Sequence, residues 1–120
     1  MKRILRLLLA ASLLASCSSP GEEMRPYIDA YLVAHISNPD TYAPGSTDYL
    51  GEARMVRDPL AEFPSGDTLD VRVFVQHFVH AGRDGRPRDN AACFYFAEDN
   101  NLVLAHFGDE PIEEGIRWKK

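Results

Sequence analysis

The amino-acid sequence predicts an α+β domain in which one N-terminal amphipathic helix packs on a three- to four-stranded antiparallel meander. A helical spacing of apolar residues falls within residues 22–39. Segments dense in β-branched and aromatic residues follow at 70–80, 91–98 and 101–107. Because the helical pattern precedes a run of strands joined by turns, we expect the helix to cover one face of an antiparallel sheet.

The helix prediction rests on the apolar stripe and on signals at both ends. The stripe consists of Met24, Ile28, Tyr31, Leu32, His35 and Ile36. Glu22 and Pro26 suit a first turn, while Asn38-Pro39 is a stop signal. Arg25 and Asp29 are four residues apart and are expected to pair on the solvent side.

The first part of the sheet is less regular in sequence. Residues 47–57 are compatible with an edge strand, which Gly51 weakens, and residues 58–67 contain two prolines and Ser-Gly, typical of a loop. Residues 70–80 predict a strand that is buried on at least one face. A polar tip at 81–90 then leads into the next strand.

The remaining strands and the tail follow. Asp99-Asn100 predicts a tight turn between the strands at 91–98 and 101–107. In residues 108–120, Pro111 predicts the start of one helical turn with Asp109 near its cap.

The beginning of the chain has the pattern of a secretory signal. Three basic residues, Lys2, Arg3 and Arg6, precede an apolar run over residues 7–15. The run is too short for a membrane span, which needs about 20 apolar residues.

The end of that run resembles the lipobox of bacterial lipoproteins, Leu14-Ala15-Ser16-Cys17. The resemblance implies that residues 1–16 are a lipoprotein signal peptide and that Cys17 receives a thioether-linked diacylglycerol. It also implies acylation of the freed amine, with a fatty acid such as palmitate. Two or three acyl chains hold a protein at a membrane far better than one. Residues 17–22 then form a lipidated tether, and residues 23–120 a single small domain.

The composition limits the partners. The signal holds three of the 13 basic residues and no acidic one, which leaves 10 basic against 18 acidic residues, a net charge of −8. An acidic domain is a poor candidate for binding nucleic acid through its net charge. With Cys17 lipidated, Cys93 has no disulfide partner and is expected to be a small core residue.

The four histidines raise the question of a metal site. His77 and His80 are three apart in a predicted strand, so they should lie on opposite faces. His77 and His106 could meet across the sheet, but structural zinc needs four ligands. We therefore expect hydrogen-bonded or exposed histidines, and the sequence predicts no metal or other cofactor.

Motifs for catalysis are weak. The acidic residues are scattered, and serines such as Ser46 and Ser65 lie in no nucleophile-elbow context. The stretch Gly-Arg-Asp-Gly at 82–85 lacks the Lys-Ser/Thr ending of a phosphate-binding loop, so we expect a hairpin turn. No catalytic residue is assigned.

An arginine cluster is the most distinctive candidate for partner contact. Arg83, Arg86 and Arg88 share one predicted loop of an acidic domain. Such clusters bind carboxylate or phosphate groups. The alternative is a solvated turn in which the arginines pair with Asp84 and Asp89.

The order of elements after the signal resembles small bacterial envelope lipoprotein domains. The likeness spans about residues 25–107, with a Pro-Asp-Thr-Tyr turn at 39–42 between helix and strands. It implies the fold and assigns no catalytic residue.

The sequence thus favours a lipid-anchored, non-enzymatic binding or interaction module of the cell envelope. One alternative is a small hydrolase-like envelope enzyme whose site assembles only in the fold. Another is a structural or assembly accessory of an envelope complex. The expected partners are the membrane, through lipid on Cys17, and an envelope protein, with no nucleic acid. Since Ser18 stands where an inner-membrane retention signal usually has Asp, we expect an outer-membrane location facing the periplasm in a host with two membranes.

Overall fold

The α+β fold class is confirmed in the computed structural model, which describes residues 19–62 and 66–119. One helix and one short 3-10 turn precede five strands. The elements are α1 (Pro20–His35), the turn Pro39–Thr41, β1 (Ala43–Val56), β2 (Thr68–Ala81), β3 (Pro87–Ala97), β4 (Leu102–Phe107) and β5 (Ile116–Trp118). The sheet therefore has one strand more than the three or four predicted.

All five strands belong to one curled antiparallel sheet in the order β4-β3-β2-β1-β5. The first four form the predicted meander, since each pairs with its neighbour in sequence. β5 instead pairs with β1 at the opposite edge from β4. Consecutive strands β4 and β5 are thus the two ends of the sheet.

Helix α1 begins two residues before the predicted start and ends four before the predicted stop. The hydroxyl of Ser19 accepts a hydrogen bond from the N–H of Glu22, which caps the first turn. As a result, Pro26 lies inside the helix rather than in its first turn. The predicted pair of Arg25 and Asp29 is present at 3.2 Å.

The predicted stripe of α1 packs on the sheet. Met24, Ile28 and Leu32 are fully buried, and Tyr31 and Ile36 are partly buried. On the sheet side, the same core contains Phe74, Phe78, Ala92, Phe94 and Phe96, with Ala105 at its border. The prediction that α1 covers these strands is confirmed, and His35 is its exposed exception.

A second core lies on the other face of the sheet. Its buried residues are Ala53, Met55, Val71, Val73, Val75, Ala91, Cys93 and Tyr95. The connection from β4 to β5, residues 108–115, crosses this face, and its Ile112 packs against the core. We call residues 108–115 the strap.

The strap corrects the prediction for the tail. Residues 109–115 contain no helical turn, although Pro111 and Asp109 suited one, and the chain continues into β5. The reason is tertiary: the N–H of Ile112 donates to the Tyr95 hydroxyl at 2.9 Å and not to a helical carbonyl.

Strand β1 is longer than predicted. It starts at residue 43 rather than 47. β5 pairs with residues 53–55, so β1 is an edge strand only over the residues outside this range. Irregular pairing occurs between Pro44 and Thr47 and again between Tyr49 and Gly51. Gly51 has φ +120, a backbone angle that other residues rarely adopt. Pro44 and Gly51, which made the strand look weak in the sequence, therefore lie at bulges and do not end the strand.

Candidate functional site

The predicted arginine cluster lies at the β2–β3 hairpin. Arg83 and Arg86 are in its tip, whereas Arg88 belongs to β3, which begins within the predicted loop and pairs Arg88 with His80. The tip closes through two backbone hydrogen bonds, from Gly82 N–H to Arg86 O and from Gly85 N–H to Gly82 O, both 2.9 Å. Gly85 has φ +78, which suits glycine in a tight turn. The expected hairpin turn at 82–85 is therefore confirmed.

Asp84 organises the tip. One carboxylate oxygen accepts the Arg86 N–H at 3.1 Å, and the other accepts the Arg88 guanidinium at 2.8 Å. These contacts lower the pKa of Asp84, with the backbone hydrogen bond from Arg86 as the largest cause. The negative charge of Asp84 is thus fixed beside the arginines.

The three arginines are not equivalent. Arg88 pairs with Asp84, as the solvated-turn alternative expected. The side chains of Arg83 and Arg86 are exposed and form no ion pair with any residue in 19–62 or 66–119. Two guanidinium groups on the tip are therefore available to an anionic group of a partner.

The segment after α1 braces the base of the tip. The side-chain amide of Asn38 donates to the carbonyls of Ala81 and Gly82, at 3.2 and 2.7 Å. The Thr41 hydroxyl accepts the N–H of Ala81 at 2.8 Å and donates to the carbonyl of Asn38 at 2.6 Å. Asn38 adopts a left-handed conformation, φ 50, which asparagine tolerates better than most residues. The tip is thus attached to the end of α1.

His77 and His80 lie on opposite faces of β2, as predicted. His77 is 3.3 Å from the carboxylate of Asp48 on the face away from α1. His80 is nearly buried on the helix side, where its Nδ1 lies 2.9 Å from the carbonyl of Ser37. Each histidine therefore has its own separate partner.

His35 and His106 have partners elsewhere. His35 stacks on Tyr31 with ring centroids 3.9 Å apart. The Nε2 atom of His106 lies 2.9 Å from the Tyr95 hydroxyl, which also accepts the Ile112 N–H. Among the residues that the structure describes, no three His, Cys, Asp or Glu side chains converge in a way that could hold a metal ion.

Cys93 occupies the second core, as expected. Its side chain is fully buried, and its thiol donates to the carbonyl of Gly108 at 3.4 Å. Burial, with a smaller contribution from the charge of Asp109, raises the pKa of the Cys93 thiol to about 11. A buried, neutral thiol is a poor nucleophile.

A small cavity brings together carboxylates that are far apart in sequence. It measures about 60 Å³ and is lined by Glu52, Asp70, Val71, Arg72, Phe96, Glu98 and Lys119. Lys119 lies 2.9 Å and Arg54 3.6 Å from Asp70, and these cations, Lys119 above all, lower the pKa of Asp70. The cavity has room for a few water molecules, and Asp70 is held ionised rather than poised as a general acid.

The sequence did not predict this carboxylate cluster or the contacts of Tyr95. Both depend on which residues face each other across strands, as in the register pair of Arg54 with Asp70. The cross-strand pair of Cys93 and His106 likewise requires the register of β3 and β4. Alternation within a single strand predicts on which face of the sheet a residue lies, but it does not predict which residue of the neighbouring strand lies beside it.

The predicted lipid attachment residue, Cys17, and its neighbour Ser18 lie outside the described residues. Ser65 does as well. Comparison with known proteins gives no matching family model, no matching curated protein and no matching solved structure. In residues 19–62 and 66–119, the helices are too short or too polar to cross a bilayer.

Proposed function

We propose that the protein is a lipid-anchored module of the cell envelope that binds a partner protein without catalysing a reaction. The observation that carries this proposal is the sequence Leu14-Ala15-Ser16-Cys17 after a basic start and an apolar run. Cys17 is separated from Ser19, the cap of α1, by one residue. The domain therefore begins almost directly at the proposed anchor.

The geometry of α1 supports a role in presenting a surface. Three residues of extended chain span at most about 10 Å, so the start of α1 lies near the bilayer if Cys17 is lipidated. The helix has 16 residues and extends about 24 Å. Because Asn38 joins the far end of α1 to Gly82, the arginine tip lies at the opposite end of the helix from Ser19.

The polar groups of the domain support binding rather than catalysis. His77, His80 and His106 each contact a different partner, and the buried thiol of Cys93 is neutral. Lys119 and Arg54 hold the Asp70 carboxylate in its ionised form, so that it is not poised as a general acid. These arrangements stabilise the fold and leave Arg83 and Arg86 as exposed groups for recognition.

The location follows from the same motif. Ser18, directly after the proposed lipidated residue, does not resemble an inner-membrane retention signal. We therefore propose that the protein resides in the outer membrane, facing the periplasm, in a host with two membranes. Fractionation that recovers it wholly from the inner membrane would contradict this location.

The anchor is tested by Cys17→Ser in the full chain. Labelling with palmitate should be lost, and the protein should leave the membrane fraction, since the acyl chains supply the membrane affinity. Cys93→Ala is the matched control, because it removes the other cysteine and should leave labelling unchanged. Equal labelling of wild type and Cys17→Ser would overturn the proposal.

The interaction role is tested by crosslinking in intact cells followed by purification of the protein. A defined partner whose capture does not depend on any turnover supports a binding module. Stable copurification with an entire envelope complex would favour an assembly accessory instead. Consumption of a small molecule by the purified protein would favour the enzyme.

A further inference from the structure

The two edges of the sheet are protected to very different degrees. Strand β1 is covered by β5 at residues 53–55, and its remaining outer edge contains Pro44 and two irregularities in pairing. Proline and bulges are the usual means by which proteins prevent other chains from pairing with an exposed strand. This edge of the sheet is therefore protected against pairing with another chain.

The opposite edge, β4, is less protected. Its sequence, Leu-Val-Leu-Ala-His-Phe, contains no proline and no Asp, Glu, Lys or Arg. Its one irregularity of pairing lies near the end at Leu102. A neutral strand of this composition on an edge readily accepts another strand.

The hydrogen bonds at the ends of β4 show which backbone groups are free to pair. Gly108 N–H donates to the carbonyl of Ala91 at 2.8 Å. In an antiparallel pair, the backbone N–H and C=O groups of successive residues point alternately towards the neighbouring strand and away from it. The backbone groups of His106 and Leu104 therefore also point towards β3. The N–H and C=O groups of Ala105 and Phe107 therefore point away from the sheet. Of these, the Phe107 carbonyl has a long contact, 3.4 Å, with Nδ1 of His106, which an added strand would replace.

Exposed apolar side chains lie beside these groups. Leu102 and Phe107 pair with Phe96 and Ala92, which places them on the helix side of the sheet. Leu102 is 37% and Phe107 51% exposed. Tyr27 of α1, also exposed, makes an edge-to-face contact with the ring of Phe96. A strand added beside β4 would cover Leu102 and Phe107.

Charges at both ends of β4 select the occupant. Glu98 and Asp99 precede the strand, and Asp109 and Glu110 follow it, all of them exposed. A second copy pairing antiparallel to β4 would bring these acidic ends together, which is unfavourable. An extended segment with basic residues at both ends would meet opposite charge at either end, in either direction.

We propose that β4 is a docking edge for an extended segment of an envelope protein, with apolar residues in alternation and Lys or Arg at both ends. The segment adds a sixth strand through backbone hydrogen bonds to Ala105 and Phe107, while the acidic ends set its charge preference. This inference rests on the proposed function as an interaction module and names the class of its partner.

The test uses the full mature chain in nanodiscs of neutral lipid and a fluorescent peptide, Lys-Lys-Val-Thr-Val-Thr-Val-Lys-Lys. We expect saturable binding by anisotropy and protection of β4 amides from hydrogen exchange. The same peptide with Glu in place of Lys should bind at least about tenfold more weakly at low salt. Absence of binding, or protection elsewhere than β4, would overturn the inference.

Two substitutions at one position separate backbone pairing from apolar contact. Phe107→Pro removes the outward N–H and should weaken binding at least about tenfold, whereas Phe107→Ala keeps that N–H and should weaken it less. Equal binding by both variants would exclude strand addition. Far-UV circular dichroism and thermal melting of both variants establish that they are folded.

The experiment also distinguishes the alternatives. Dimerisation that rises with concentration and is lost in Phe107→Pro would show that a second copy occupies β4, against the inference. The peptide assay does not depend on lipidation and can be repeated with Cys17→Ser. If the peptide does not bind, the proposal of a lipid anchor at Cys17 is unaffected. If Cys17 proves not to be lipidated, the proposal of a docking edge at β4 is unaffected.

Discussion

The hydroxyl of Tyr95 accepts a hydrogen bond from the backbone N–H of Ile112 at 2.9 Å. This contact joins β3 to the middle of the strap. The same hydroxyl lies 2.9 Å from Nε2 of His106, so one phenol oxygen connects β3, β4 and the strap. The second core is thus closed by a polar contact at its centre.

Removal of that hydroxyl should loosen the strap. In Tyr95→Phe, the partly buried N–H of Ile112 loses its acceptor, and the free energy of unfolding should fall by about 1–3 kcal/mol. Urea denaturation measures the loss, and hydrogen exchange at Ile112 should accelerate. Tyr27→Phe is the control, since Tyr27 is 51% exposed and should tolerate the change. Unchanged exchange at Ile112 would show that the contact does not hold the strap.

Stability should decrease at alkaline pH. Burial raises the pKa of Cys93 from 9.0 in the unfolded chain to about 11 in the fold. The fold favours the neutral thiol, so this stability is complete below pH 9 and is lost as pH rises towards 11. In Cys93→Ala, the free energy of unfolding should depend less on pH across this interval. Parallel pH profiles of wild type and variant would contradict the assignment.

The stripe of α1 should carry much of the stability of the first core. Leu32→Ala removes a fully buried side chain and should cost about 2–5 kcal/mol. Val33→Ala, one position along and 45% exposed, is the matched control and should cost far less. Chemical denaturation of both variants makes the comparison. A loss below about half a kcal/mol for Leu32→Ala would mean that the helix does not face a core.

The arginine tip should affect recognition and not stability. Replacing Arg83, Arg86 and Arg88 with serine removes one ion pair, with Asp84. Because this pair is exposed to water, it contributes little to stability, and the melting temperature should barely change. Capture of the crosslinked partner should weaken, more at low salt than at high salt. Arg88→Ser alone is the control, because Arg88 is already paired. Undiminished capture by the triple variant at low salt would identify the tip as a solvated turn.

Elements with a strong local pattern could be predicted from the sequence. The spacing of Met24, Ile28 and Leu32 defined the buried side of α1, and the Asp99-Asn100 turn separated β3 from β4 as expected. In these cases the local preference and the tertiary packing agree. The arginine tip was also visible, because a hairpin keeps residues that are close in sequence close in space.

Elements stabilised from a distance could not be predicted. β5 has three residues, Ile-Arg-Trp, too few to show alternation, and it is a strand because residues 53–55 of β1 lie beside it. In the strap, Pro111 predicted the start of a helical turn, but the hydrogen bond from the Ile112 N–H to the Tyr95 hydroxyl holds the chain in a different conformation. In β1, Gly51 indicated a weak strand and instead marks a bulge.

The position of β4 and β5 at opposite edges has a consequence for the order of folding. Helix α1 and the meander β1 to β4 can form from contacts between neighbours in sequence, whereas β5 must find a strand more than half the chain away, as in the pair of Ala53 and Trp118. Such non-local contacts form slowly, because a long loop must close first. A chain that crosses a membrane unfolded would therefore pair the strands of the meander first. The packing of α1 on β3, as in the contact of Tyr31 with Phe94, and the pairing of β5 with β1 would come later, because both join distant parts of the chain.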